Sequence, residues 1–206
     1  MKIITISREF GSGGRELGKR LAEELGIHCY DHEIIELIAK EHGFDERYVA
    51  NISEKCIEAA YPTTIGHRFA MPPVQIMDQG FQVAAAQQQI IENFAKQGDC
   101  VIVGRCGDYV LRDRKDVLRI FVYAPKEWRL AYGKENNMLQ AKDEKGIKDE
   151  IDKTDRNRAA YYNYYTQNRW GDAHNYDLAI NAALGHDACV QMILAAAEAK
   201  EKAMEG

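Results

Sequence analysis

The chain lacks the features that mark several common protein classes. No apolar run approaches the roughly 18 residues that a membrane-spanning helix needs, so no membrane segment is expected. Lysine and arginine number 27 against 32 aspartate and glutamate, a net charge of −5, which leaves no basic excess for a nucleic acid polymer. The cysteines (Cys29, Cys56, Cys100, Cys106 and Cys189) are odd in number and form no CxxC pair. That excludes a disulfide framework and fits reduced thiols in the cytoplasm. His28, Cys29 and His32 find no second ligand pair at zinc spacing, so the sequence names no metal ligands. Proline is scarce as well: of four, three (Pro62, Pro72 and Pro73) fall between Tyr61 and Pro73 and mark a loop or hinge. Met1 leads straight into an apolar strand, leaving no room for a signal peptide.

What is present is concentrated at the start. Lys2 to Ser7 reads as a buried strand rich in β-branched residues. Arg8-Glu9-Phe10-Gly11-Ser12-Gly13-Gly14-Arg15 follows at once. Leu17, Leu21 and Leu25 then recur at helical spacing, and Gly26 stops the helix. Strand, glycine loop and helix in direct succession build a phosphate cradle: loop amides point inward and the helix N-terminus adds positive dipole.

Two registers match the usual phosphate-loop pattern, G-x-x-x-x-G-K-[ST]. One runs from Gly13 to Gly18 and Lys19, but it places Lys19 inside the helix and the loop well beyond the strand. The other aligns Gly11-Ser12-Gly13 with the loop end. It puts Gly14 at the lysine position, and Arg15 and Glu16 at the hydroxyl positions. The second register is adopted here. The backbone cradle survives; the lysine and the magnesium-binding hydroxyl do not. A glycine-rich turn without a ligand is the plain alternative.

The remaining strands and helices alternate, implying a parallel sheet with crossover helices in a single domain, 1–206. Extended segments are read at His28 to Asp31, Cys100 to Gly104, Val117 to Tyr123 and Tyr176 to Asn181. Asp31 is expected to cap a helix ending at Gly43, Asp45 to cap another running to about Ala60, and Gln75 to Lys96 to form a long helix. Lys126 to Gln167 reads as mostly helical with a break near 133–138, and Asp187 to Met204 as the closing helix.

Ligands of open parallel sheets bind beyond the carboxyl ends of the strands. Arg105, directly after the mid-chain strand, is therefore a candidate phosphate ligand; a turn salt bridge to Asp108 is the alternative. Asp155 and Arg158, three apart, share a helix face, as a phosphate site or as an ordinary solvated face. Tyr161, Tyr162, Tyr164 and Tyr165 could stack on a base, but a packed face or subunit contact suits them better. Arg129 is read either as a lid arginine or as surface.

Taken with Tyr30-Asp31, Val101 to Arg105, Asp155 to Arg158, Tyr176-Asp177-Leu178 and Ile180-Asn181, the segment Ser7 to Glu16 resembles the cytidylate kinase-like family of P-loop nucleoside monophosphate kinases. The resemblance implies an α/β fold of P-loop NTPase type: a parallel sheet of about five strands flanked by helices. It divides the chain into a phosphate-loop unit (1–30), a helical acceptor-binding region (31–97), core strands (98–124), lid and arginine-bearing helices (125–172) and a last strand with its helix (173–206). It implies ATP and Mg²⁺ as cofactors and a small nucleotide substrate. Arg8, Gly11, Ser12, Gly13, Gly14, Arg15 and Glu16 would hold ATP, and Asp31, Arg105 and Arg158 the acceptor. Arg15, Arg105, Asp155 and Arg158 would act in catalysis. Arg15 or Arg8 would restore the missing lysine charge, and Ser12, Glu16 or water would contact magnesium. Cys106 stands where the family has aspartate, Ile151 where it has arginine, and His32-Glu33 replace small polar residues.

Three functions are expected in order: an ATP-dependent kinase of a cytidylate-like monophosphate; a degenerate nucleotide sensor without turnover; and a structural domain that forms homo-oligomers through its tyrosines. Turnover, binding without turnover, and no binding distinguish them.

Overall fold

A computed structural model describes residues 2–55, 63–65, 68–70, 74–141 and 143–205. The strand Ile3–Arg8 (β1) lies at the centre of a five-stranded sheet, and its position follows from its composition. Ile3, Ile4, Thr5 and Ile6 are each at most 1% exposed, although successive residues of a strand point to opposite faces. A strand apolar on both faces must be covered on both. Ile3 packs with Ile102 under the helices Glu33–His42 (α2) and Val74–Gln97 (α4). Ile4 and Ile6 pack under Gly14–Leu25 (α1) and His186–Glu205 (α8).

The other strands are His28–Tyr30 (β2), Cys100–Val103 (β5), Val117–Tyr123 (β6) and Leu178–Asn181 (β7). The order is β2-β5-β1-β6-β7 and every pairing is parallel. Each strand therefore delivers its C-terminal loop to the same edge. The phosphate loop after β1 and the Gly104 turn after β5 are neighbours there, and the Gly104 amide donates to the Ile6 carbonyl at 2.8 Å. No helix among the described residues is long and apolar enough to cross a membrane.

Several local readings hold. Gly26 and Gly43 close their helices in the left-handed conformation. Asp45 accepts from the amides of Arg47 (2.9 Å) and Tyr48 (3.2 Å) and caps the helix Glu46–Lys55 (α3). The expected break separates Lys126–Glu135 (α6) from Glu144–Thr166 (α7). A short helix, Gly107–Val110 (α5), was not anticipated.

Other readings are corrected. Asp31 does not cap α2: His32 takes that position without a side-chain bond, because the Asp31 carboxylate is drawn to Arg15. Within the expected loop at 61–73, Thr63–Ile65 (β3) pairs antiparallel with Arg68–Ala70 (β4). These are β-branched and aromatic triplets that can ladder, and the proline signal obscured them. Cys56, the end of the helix read to Ala60, and Pro62, Pro72 and Pro73 lie outside the described residues.

Candidate active site

The phosphate loop is built by its own backbone. The Glu9 amide donates to the Val122 carbonyl at 3.0 Å, extending β1 by one bond. Ser12 is fully buried; its amide (3.3 Å) and hydroxyl (2.8 Å) both donate to the Glu9 carbonyl. The hydroxyl therefore closes the loop on itself rather than facing a ligand. The amides of Gly11, Gly13, Gly14 and Arg15 have no acceptor among the described residues. With the N-terminus of α1 behind them they form an electropositive concavity.

That concavity opens on a cavity of about 450 Å³. Of the sequence-predicted site residues, Arg8, Gly11, Gly13, Gly14, Arg15, Glu16, Asp31, Arg105 and Arg158 line it, while Ser12 and Asp155 do not. Arg8, Arg105 and Arg158 also line an adjoining cavity of about 40 Å³, walled by Tyr161, Tyr162 and Trp170. Three arginines thus line the same cleft as the loop amides. Each guanidinium offers a planar fork of donors matched to phosphate oxygens.

The turn after β5 is bent to present Arg105. Gly104, Arg105 and Cys106 all have positive φ, at 75°, 55° and 55°. For arginine and cysteine that conformation costs on the order of 1 kcal/mol each or more, and such strain collects at functional sites. The turn is held by Gln87 of α4, whose amide nitrogen donates to the Arg105 carbonyl (2.9 Å) and to the Tyr161 hydroxyl (3.3 Å). Asp108 is not exposed for bridging: it is 2% exposed and accepts from Ser7 Oγ (3.2 Å) and Tyr162 Oη (2.6 Å).

Asp155 and Arg158 both reach the loop from α7, but do different things. Arg158 donates to the Arg8 carbonyl at 3.2 Å and sits 5.6 Å over the Phe10 ring. Asp155 accepts from the Phe10 amide at 2.7 Å and pairs with Arg129. Arg129 is only 8% exposed, so it is not a surface residue. It donates to the Phe10 carbonyl at 3.2 Å, and its Nε lies 3.5 Å from Glu9. Glu9 in turn accepts from the Ala124 amide at 3.2 Å, and burial pushes its carboxyl up from the ordinary range. Glu9, Arg129 and Asp155 thus clamp the loop to α6 and α7.

Arg15 pairs through Nε with Asp31 at 2.5 Å, and its side chain is 59% exposed. Lys19 lies on α1 as expected, and it also lines the cavity one turn after Arg15. Sequence reasoning missed the roles of Gln87, Glu9 and Lys19; only the i, i+4 spacing of Arg15 and Lys19 could have signalled any of them. Tyr161 and Tyr162 are 5% and 3% exposed, which is the packing reading and not base stacking. Among the described residues no group of three His, Cys, Asp or Glu side chains is placed to hold a metal ion.

The model of the cytidylate kinase-like family matches residues 3–183, which spans the sheet, the loop and the arginine-bearing helix. The chain belongs to the cytidylate kinase-like family. Among solved structures it is similar to an uncharacterized protein from Eubacterium ventriosum, at 26% identity over 96% of this chain and 99% of that one, with a TM-score of 0.71. It also shares its fold with shikimate kinases. That from Bacteroides thetaiotaomicron is 14% identical over 93% and 96% of the two chains (TM-score 0.55). That from Acinetobacter baumannii, in complex with shikimate, is 14% identical over 94% and 91% (TM-score 0.53). No curated protein matches.

As a member of the cytidylate kinase-like family the chain has a kinase-type fold. Ile151 is fully buried, so the position it occupies does not face the cleft. Cys106 is buried against Tyr161 and Tyr162, and burial pushes its thiol far above the ordinary range. Burial likewise raises the Asp108 carboxyl, against the lowering bonds from Tyr162 and Ser7. A carboxyl with a raised folded value binds more protons folded than unfolded, so its contribution to stability falls as pH climbs through the carboxylate range and above. Asp108→Asn keeps an acceptor for Tyr162 and removes the charge. The stability of Asp108→Asn relative to wild type, by urea unfolding, is expected to be greater at about pH 8 than at about pH 4. A difference independent of pH would contradict the buried carboxylate.

Proposed function

We propose that the protein is an ATP-dependent phosphotransferase whose acceptor is a small phosphate-bearing metabolite, a nucleoside monophosphate of cytidylate type. One observation carries the reading: a single cleft joins the amides of Gly11, Gly13, Gly14 and Arg15 to the guanidinium groups of Arg8, Arg105 and Arg158. Phosphoryl transfer requires positioning and charge neutralisation more than covalent chemistry, and such a cleft supplies both. The loop amides and the α1 N-terminus hold the ATP phosphates, with Glu16 at the rim. Arg105 and Arg158 hold the acceptor phosphate. Asp31, paired with Arg15, contacts the acceptor within the same cleft.

For Mg²⁺ the fully buried Ser12 is out of reach, which leaves Glu16 at the cavity rim as the protein-side contact. The ion, which neutralises phosphate charge, would be kept by ATP oxygens and water, as Mg²⁺ is in many phosphate sites. The free cysteines fit a cytoplasmic setting.

Calorimetry tests the site. ATP with Mg²⁺ and a nucleoside monophosphate are each expected to bind the wild-type protein, and to bind together. Failure of ATP to bind would overturn the reading and leave a structural domain.

A further inference from the structure

The phosphate loop departs from its usual pattern at both ends: Arg8 stands where the first glycine belongs, and Gly14 where the lysine belongs. The two changes occupy one space. A Cβ built on Gly14 would lie 2.7 Å from Arg8 Cβ and 3.1 Å from its Cγ, with Val122 Cβ at 3.4 Å behind. The first of these is the rigid root of a side chain and cannot swing away, so any residue but glycine at 14 collides with the arginine at 8. At the far end of the same side chain, a Cβ on Gly104 would overlap the guanidinium, 2.8 Å from Cζ. Arg8 therefore runs from the start of α1 to the turn after β5, across two glycines that leave it room.

Arg15, the other flanking arginine, lines the same cavity, but its guanidinium is held by Asp31 and its side chain is mostly exposed. The Arg8 guanidinium lies against Gly104, in the cleft that the loop glycines, Arg105 and Arg158 also line. In a transfer between a donor in the loop and an acceptor beyond β5, the terminal phosphoryl group passes through that point. We infer that Arg8 binds the terminal phosphate of ATP in place of the missing lysine, and that Gly14 and Gly104 are the space it requires. The inference rests on the phosphotransferase reading and assigns within it a residue that the loop pattern leaves open. The charge has moved from the last residue of the loop to the first.

The test compares ATP with ADP, each with Mg²⁺, by calorimetry on the full chain. Wild type is expected to prefer ATP. Arg8→Ala should lower ATP affinity about 10- to 100-fold, the value of one charge-assisted hydrogen bond, and leave ADP affinity within about threefold. Arg8→Lys, which keeps a charge on a similar stem, should recover part of the preference, separating charge from folding. Gly14→Lys alone should lower the melting temperature, and Arg8→Gly with Gly14→Lys should restore it together with ATP binding. An Arg8→Ala protein with the wild-type ratio of ATP to ADP affinity would overturn the inference while leaving the phosphotransferase reading intact. A Gly14→Lys protein as stable as wild type would overturn the steric exchange. Wild type that binds neither nucleotide would overturn the reading itself, and the inference with it.

Discussion

Replacing Asp155 by alanine is expected to cost about 3 kcal/mol of folding stability, among the largest single effects in the molecule. Removing one partner of a buried ion pair leaves the other charge uncompensated, at a typical cost of about 3–5 kcal/mol. Here the stranded group is Arg129, with a side chain 9% exposed. The lower end of the range applies because Glu9 remains 3.5 Å from Arg129 Nε and carries part of the compensation. The Phe10 amide also loses its acceptor. Urea unfolding at neutral pH measures the effect. A loss below about 1 kcal/mol would place the pair in the class of exposed salt bridges. The same substitution loosens the tie between the loop and α7, so nucleotide affinity should fall with stability. Asp155→Asn, which can still accept from the Phe10 amide, should lose less affinity than Asp155→Ala.

Arg105→Gly separates function from stability. The guanidinium is one of three that face the cleft, and removing one preorganised charge contact from a phosphoryl-transfer site costs about 3 kcal/mol, or 10²–10³ in rate. Yet Arg105 has φ 55°, a conformation glycine adopts freely. Relief of about 1 kcal/mol of left-handed strain offsets the lost packing. Stability should therefore change by less than about 1 kcal/mol, while kcat/KM for the acceptor falls at least 100-fold. Loss of stability with kcat/KM retained would make Arg105 a turn-forming residue only.

The sequence was legible where structure is local. The N-terminal strand, loop and helix follow from β-branched content, glycine and a period of 3.6. Burial of Ile3, Ile4 and Ile6 on both faces is what an unalternating strand implies. Gly26, Gly43 and Asp45 act as written because capping depends on residues within one turn. What escaped depends on partners far along the chain. Asp155 bonds an amide 145 residues away, and no helical period reports that. Asp31 was read as a cap because its near neighbours invite one; the competing cation lies on α1. Ser12 reads as part of the loop that cradles the phosphates, but its amide and hydroxyl both turn to the carbonyl three residues back. The triplets of the β3–β4 hairpin were too short for a periodicity to show.

The central claim is phosphoryl transfer. It is tested most directly by coupled ADP release with ATP and Mg²⁺ against a panel of nucleoside monophosphates, cytidylate first, each compared with ATP alone. The account expects ADP release that depends on one acceptor, saturates with it, and falls at least 100-fold in Arg105→Gly. ATP binding with no acceptor-dependent release across the panel would contradict it and favour a nucleotide sensor built on a kinase fold.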